Sequence, residues 1–295
     1  MNQASLVSVI IPCYGQAHFL DDAIRSVHAQ SYRQFEIIVV DDGSPDNTAE
    51  VAARYDDGLV RLIRQRNLGL ATARNNGLRA SAGDFIVFLD ADDRLLPRAL
   101  ETGVNSLYAA PECAFVYGLC EFIDQEGSPI PTPPHVAVKE NYHRAFLRDN
   151  PILSPGAAMF RRSIFSRVAG FDPSLSRGCE DLDLYLRIAK EWPVHCHGKT
   201  TLQYRKHRGS MSANRFRMLR ASNKLFRKHL REVAGERELE ELCRLKIIPR
   251  RQLILQQPTL NRIIATVRLR TRLRAVGSYV RQNLPEWTRV RRASR

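Results

Sequence analysis

The chain has 295 residues, 44% hydrophobic and 26% charged, which is enough for one or two globular domains and excludes a wholly disordered chain. Lys+Arg number 45 against 31 Asp+Glu, a net +14, but the excess is uneven. Residues 205–295 hold 25 basic and 6 acidic residues (net +19), and residues 1–204 hold 20 and 25 (net −5), so a basic nucleic-acid coat over the body is excluded.

No apolar run reaches the length of a membrane-spanning helix, and Leu6 to Pro12 is too short for the apolar part of a secretion signal. A cytoplasmic protein is the expectation. The six cysteines form no CxxC pair and are expected to be scattered reduced thiols rather than a disulfide scaffold.

Leu6 to Pro12 is short, apolar and β-branched, and is predicted to be a buried strand. Leu20, Ala23, Ile24 and Val27 follow at helical spacing. Phe35 to Val40 is a second strand, stopped by Asp41-Asp42-Gly43-Ser44-Pro45. A helix from about Thr48, a strand at Val60 to Ile63, a helix over Leu70 to Ala80 and a strand over Phe85 to Leu89 complete the series. Asp90-Ala-Asp-Asp93 closes that strand, and Pro97 opens another helix. Strand and helix alternate four times in about 100 residues, which argues for an α/β fold with a mostly parallel, doubly wound sheet.

The second half is less regular. Pro129 to Pro134 reads as loop, Ala157 to Phe160 as a strand, Ser163 to Val168 as a short helix and Gly170 to Gly178 as loop. Glu180 to Lys190 is a helix, and Trp192 to His197 returns as a strand. From Asn214 onward the chain reads as helical and basic, with breaks at Pro249, Pro258 and Pro285.

Parallel sheets of this kind bind ligands at the carboxyl ends of their strands. Three strands end there in Pro12-Cys-Tyr14, Asp41-Asp42-Gly43 and Asp90-Ala-Asp92. Asp90 and Asp92 can converge on one hard divalent cation, which takes oxygen ligands; a plain solvated turn is the alternative. Asp41 and Asp42 either form a turn and helix cap or accept hydrogen bonds from a nucleobase or ribose. Arg74 either binds phosphate or carboxylate, or pairs with the aspartates to fix the loops. Glu180-Asp181 either stabilises a helix start or supplies a general base. His207 is a metal ligand, a phosphate contact or a surface histidine. Zinc at His195-Cys196-His197 is disfavoured, because strand alternation points Cys196 away from both histidines.

Taken in order, Val9-Ile-Ile-Pro-Cys-Tyr14, Val40-Asp-Asp-Gly-Ser44, Asn67-x-Gly-x-Ala-x-Ala-Arg-Asn-x-Gly77, Phe88-Leu-Asp-Ala-Asp-Asp93, Gly170-Phe-Asp, Glu180-Asp181 and Tyr204-Arg-x-His207 closely resemble the family 2 glycosyltransferases, inverting enzymes with the GT-A fold. The resemblance covers roughly residues 5 to 210. It implies a catalytic domain over 1–210; the basic, mainly helical extension over 211–295 lies outside it. It implies that Pro12 and Tyr14 pack on the base of a nucleotide-sugar, that Asp42, with Asp41 beside it, contacts that base, and that Asn67 and Arg74 line the pocket. Asp90 and Asp92 would hold Mn²⁺ or Mg²⁺ against the donor diphosphate, with His207 nearby. Asp181 would be the catalytic base, with Glu180 beside it at the donor. Gly15 departs from the pattern, in which Asn often follows the tyrosine.

The resemblance further implies a nucleotide-sugar donor, UDP-linked in the commonest case, and a saccharide or lipid-linked acceptor of cell-surface polysaccharide or glycolipid assembly. The Arg262 to Arg274 segment has the pattern of an amphipathic helix on an anionic membrane, which would place the chain peripherally on the membrane's inner face; a solvated basic helix or a disordered end is the alternative. The competing readings are a protein that only binds nucleotide-sugar, and a nucleic-acid binder using the basic tail; the tail's few aromatic residues disfavour the latter, and no nucleic acid is expected.

Overall fold

The computed structural model describes residues 5–55, 58–134, 138, 141–175 and 178–247. Strands β1 (Val7–Cys13) and β2 (Phe35–Asp41), helix α1 (Ala17–His28) and helix α2 (Thr48–Ala53) open the fold. Strand β3 (Val60–Arg64), helix α3 (Leu70–Ala80) and strand β4 (Phe85–Phe88) follow. β1 and β4 are buried along their whole length, as continuous apolar runs must be when helices cover both faces of a parallel sheet. β2 pairs in parallel with β3 and β1, and β1 with β4.

Beyond β4 the sheet changes character. Strand β5 (Arg94–Leu95), helix α4 (Ala99–Ala109), strand β6 (Phe115–Ile123), strand β7 (Pro129–Ile130), helix α5 (Tyr142–Arg148), strand β8 (Ala158–Arg161), helix α6 (Glu180–Ala189) and strand β9 (Val194–Arg205) follow in the chain. The spatial order is β3-β2-β1-β4-β8-β6-β9-β5, with β7 beside β6. β8 runs antiparallel to both β4 and β6, and β9 runs parallel to β6. The parallel, doubly wound half expected from the sequence is therefore joined to a mixed half.

Several local expectations are corrected. β6 is a nine-residue central strand that the pattern did not reveal. Pro129–Ile130, inside the proline-rich loop, pairs with the end of β6. The short helix expected from Ser163 is present as a 3-10 helix over Arg162–Ser166. β9 extends to Arg205, well past His197, across a register shift against β6 near Gly118. Pro97 lies one residue before the Arg98 cap of α4 rather than in its first turn.

Gly77 brings α3 close to the sheet. A Cβ there would stand 2.3 Å from Ile10 Cγ2, so any side chain would push the helix outward. That close seat brings Arg74, one turn earlier, under the sheet edge.

Helix α7 (Arg215–Glu232), capped by Asn214 Oδ1 accepting from Arg217 N, and helix α8 (Arg237–Lys246) pack on the same compact unit, which runs through Ile247. The resemblance ends near residue 210; the packing does not. The Arg262 to Arg274 segment and the three proline breaks lie outside the described residues. Among the described residues no helix is long and apolar enough to cross a membrane.

Candidate active site

The carboxyl ends of β1, β2 and β4 meet along one rim. Asp42 N donates to Cys13 O at 2.9 Å, Leu89 N to Ile10 O at 2.9 Å, and Gly15 N to Ser44 Oγ at 3.2 Å. Tyr14 stands on this rim, about half exposed at 52%. Pro12 is buried within β1, opposite Val40, so it shapes the floor rather than offering an open surface.

Asp41 and Asp42 are both buried and both serve the loops. Asp41 Oδ1 accepts from Ser44 N at 2.8 Å. Asp42 accepts from Leu68 N and Gly69 N at 2.8 Å each and from Gln65 Nε2 at 2.7 Å. The pair thereby ties the β2 loop to the segment carrying Asn67, which is exposed. Gly43 (φ 72°) completes the junction: a Cβ there would lie 2.8 Å from Asn67 N.

The acidic turn after β4 is the electrostatic centre. Among the described residues, Asp90, Asp92 and Asp93 offer carboxylate oxygens all within 4.8 Å of one another. Like charges so close disfavour joint ionisation, and burial together with the neighbouring aspartates pushes the Asp93 carboxyl well above its ordinary range. Asp93 is fully buried and accepts from Ser154 Oγ at 2.6 Å and Arg205 N at 2.9 Å. Asp92 turns the other way: its Oδ2 meets His207 Nε2 at 2.9 Å and Gln16 Nε2 at 3.2 Å. Three carboxylates with one imidazole form a donor set that suits a hard or borderline divalent ion such as Mn²⁺ or Mg²⁺. On that chemistry the residues fit such an ion.

The Arg74 side chain is 1% exposed and pairs with carboxylates. Its Nη2 donates to Asp90 Oδ1 and its Nη1 to Glu180 Oε1, each at 2.6 Å, and the guanidinium lies over the Phe171 ring at 5.1 Å. One buried cation thus joins the acidic turn of β4 to the first turn of α6, holding the loops in register. Burial pushes the Glu180 carboxyl up to about 7, against the opposing pull of Arg74. Asp181, the next residue, is half-buried; burial raises its carboxyl too, and Arg74 opposes the rise.

Residues outside the expected set complete the site. Arg205 is 1% exposed and donates to Asp92 O at 2.8 Å, Gln125 O at 2.7 Å and Asp22 Oδ2 at 2.9 Å, so it clamps the acidic turn from behind. It sits two residues before His207, and that spacing was the available signal. Gln16 and Ser154 carried no signal in the sequence.

A GT-A fold with an acidic cluster at the strand ends defines the class of protein, and comparison with known proteins agrees. The profile of glycosyl transferase family 2 matches residues 8–169, so the chain belongs to that family. It is 28% identical over 220 residues to the putative teichuronic acid biosynthesis glycosyltransferase TuaG of Bacillus subtilis, covering 73% of this chain and 85% of that one. It is 32% identical over 208 residues to an uncharacterized glycosyltransferase of Rickettsia felis, covering 68% of this chain but 34% of that one, so it spans about a third of that longer relative. Among solved structures it resembles S. aureus TarS 1–349 in complex with UDP-GlcNAc (TM-score 0.63, 19% identity, 80% of this chain and 70% of that one). It also resembles the mannosyltransferase PcManGT from Pyrobaculum calidifontis in complex with GDP-Man and Mn²⁺ (TM-score 0.64, 22% identity, 97% and 83%).

Proposed function

We propose that this chain transfers a sugar from a nucleoside-diphosphate-sugar to an acceptor hydroxyl, with inversion at the anomeric carbon. The observation that carries the reading is the Asp90–Arg74–Glu180 bridge, which holds the acidic turn and the Asp181 turn side by side on one buried guanidinium. Relatives in complex with UDP-GlcNAc and with GDP-Man and Mn²⁺ support a nucleotide-sugar donor.

In this reading Tyr14, Asp42 and Asn67 border the base, with Pro12 and Asp41 beneath them. Asp90, Asp92 and His207 hold a divalent ion, which when bound supplies positive charge to the diphosphate leaving group. Asp181 accepts the proton of the acceptor hydroxyl as that oxygen attacks the anomeric carbon. Glu180 stays paired with Arg74 and keeps the turn in place. The likeness to a teichuronic acid biosynthesis enzyme supports a saccharide acceptor, lipid-linked or free, in cell-surface polysaccharide assembly. A place at an anionic membrane surface is supported by the exposed cations Arg217, Arg220, Lys224, Arg227 and Arg231, spaced three and four apart along α7.

The test is a panel of UDP- and GDP-linked sugars with Mn²⁺, read by thermal shift and by release of nucleoside diphosphate. One donor at a hundredfold excess over its dissociation constant is expected to raise stability by about 2.7 kcal/mol, and EDTA to cancel most of the gain. A panel with no shift and no release contradicts the reading.

A further inference from the structure

Asp183 lies two residues after Asp181 and is fully buried. Its Oδ1 meets Lys228 Nζ at 2.7 Å and His229 Nε2 at 3.1 Å, and its Oδ2 meets Arg187 Nε at 2.8 Å. Two of these three partners come from α7. His229 is itself 1% exposed, and its other ring nitrogen meets Glu232 Oε2 at 3.0 Å.

The contacts continue past α6. Lys228 Nζ also reaches Asp172 Oδ2 at 2.9 Å. Arg187 donates to Ala169 O at 2.6 Å and Gly170 O at 2.7 Å. Asn75, the neighbour of Arg74 in α3, brackets Phe171 with two hydrogen bonds of 2.8 Å. A path of polar contacts therefore runs from α7 through α6 and the 169–172 loop to α3, and it enters the turn that bears Asp181 through Asp183.

On the side of α3 that turn is held through Glu180 by Arg74. Its cap residue, Cys179, makes no side-chain capping bond and sits in the left-handed region at φ 66°. An apolar cluster would join α6 to α7 at lower desolvation cost than a buried carboxylate with three cationic partners. What directional ionic contacts add is a fixed rotation and register of the helix.

We propose that Lys228 and His229 of α7 are positioning residues for Asp181, acting through Asp183 to fix the rotation and depth of the first turn of α6. α7 lies beyond the segment matched by the family profile and is thereby part of the catalytic unit. The proposal rests on the reading of Asp181 as the base.

The test uses the full chain, with UDP-N-acetylglucosamine or GDP-mannose plus Mn²⁺ as donor and water as acceptor. Lys228→Met is expected to lower kcat at least fivefold while donor KM and Kd stay within twofold. His229→Phe is expected to do the same, and Lys228→Arg to restore kcat to within twofold of the parent. Lys228→Met/Asp183→Asn should be no slower than Asp183→Asn alone, because both changes break one contact. Lys228→Met with parent kcat, or with kcat and donor affinity falling together, overturns the proposal. Amide hydrogen exchange gives a readout independent of turnover. Peptides spanning 178–186 are expected to exchange faster in Lys228→Met, with the β1 and β2 peptides unchanged; unaltered exchange in 178–186 overturns the proposal whatever the rate. If Asp181→Asn instead keeps parent turnover, the base reading fails, whereas faster exchange in Lys228→Met still supports the α7 contact.

Discussion

Asp181→Asn is expected to bind nucleotide-sugar and Mn²⁺ as the parent does, and to turn over about 10²–10⁴-fold more slowly. Asparagine keeps the shape of the side chain and loses its ability to take a proton. Asp181 has no ion-pair partner within 4 Å among the described residues, so little else should change; its Oδ1 accepts from the adjacent Leu182 N at 2.7 Å. Glu180, by contrast, is 5% exposed and committed to Arg74, which leaves Asp181 as the carboxylate free to meet an acceptor. Single-turnover rates and donor titrations on the two proteins decide the matter. Parent-like turnover in Asp181→Asn would move the base elsewhere.

Arg74→Met should have the largest effect on stability. It leaves Asp90 and Glu180 without their shared cation, and breaking a buried ion pair by removing one partner costs about 3–5 kcal/mol. For a unit of this size that is on the order of 10 °C in Tm. The effect should depend on pH. Burial already lifts the Glu180 carboxyl to about 7, and without Arg74 its folded-state pKa must rise further above the unfolded value. A carboxyl raised on folding adds stability below its unfolded pKa and loses it as pH climbs through the folded one. The gap in stability between parent and variant should therefore widen from pH 5 to pH 8. A gap that is flat with pH, or a loss under 1 kcal/mol, would mean that the guanidinium is not what holds these two turns together.

The parallel half of the fold was legible because its strands are buried on both faces. Val7 to Cys13 and Phe85 to Phe88 contain hardly a polar residue, and each ends in a turn signal. β6 was not legible because Gly118 and Glu121 interrupt its apolar run and its partners β8 and β9 lie far off in sequence. β9 was half legible for the same reason: its exposed stretch around Gly198 hides a strand that resumes at Thr200.

In the site, the acidic turns were visible because aspartates after a buried strand are conspicuous. The place of Arg74 was visible only as one of two alternatives, and its pairing with Glu180 was not. An arginine is buried only when carboxylates meet it, and those carboxylates stand 16 and 106 residues away. Asp183 shows the same limit: local pattern assigns it to a helix start, and only folding brings Lys228 and His229 onto it.

In the proposed reaction the rim at Asp90 and Asp92 holds a divalent ion together with the diphosphate of a donor. Calorimetric titration of the responding nucleotide-sugar into the parent and into Asp92→Asn, each with Mn²⁺ and with EDTA, tests it most directly. The parent should bind at least tenfold more tightly with Mn²⁺ than with EDTA, and Asp92→Asn should bind equally weakly in both. An Asp92→Asn protein that keeps the full gain from Mn²⁺ would contradict the claim.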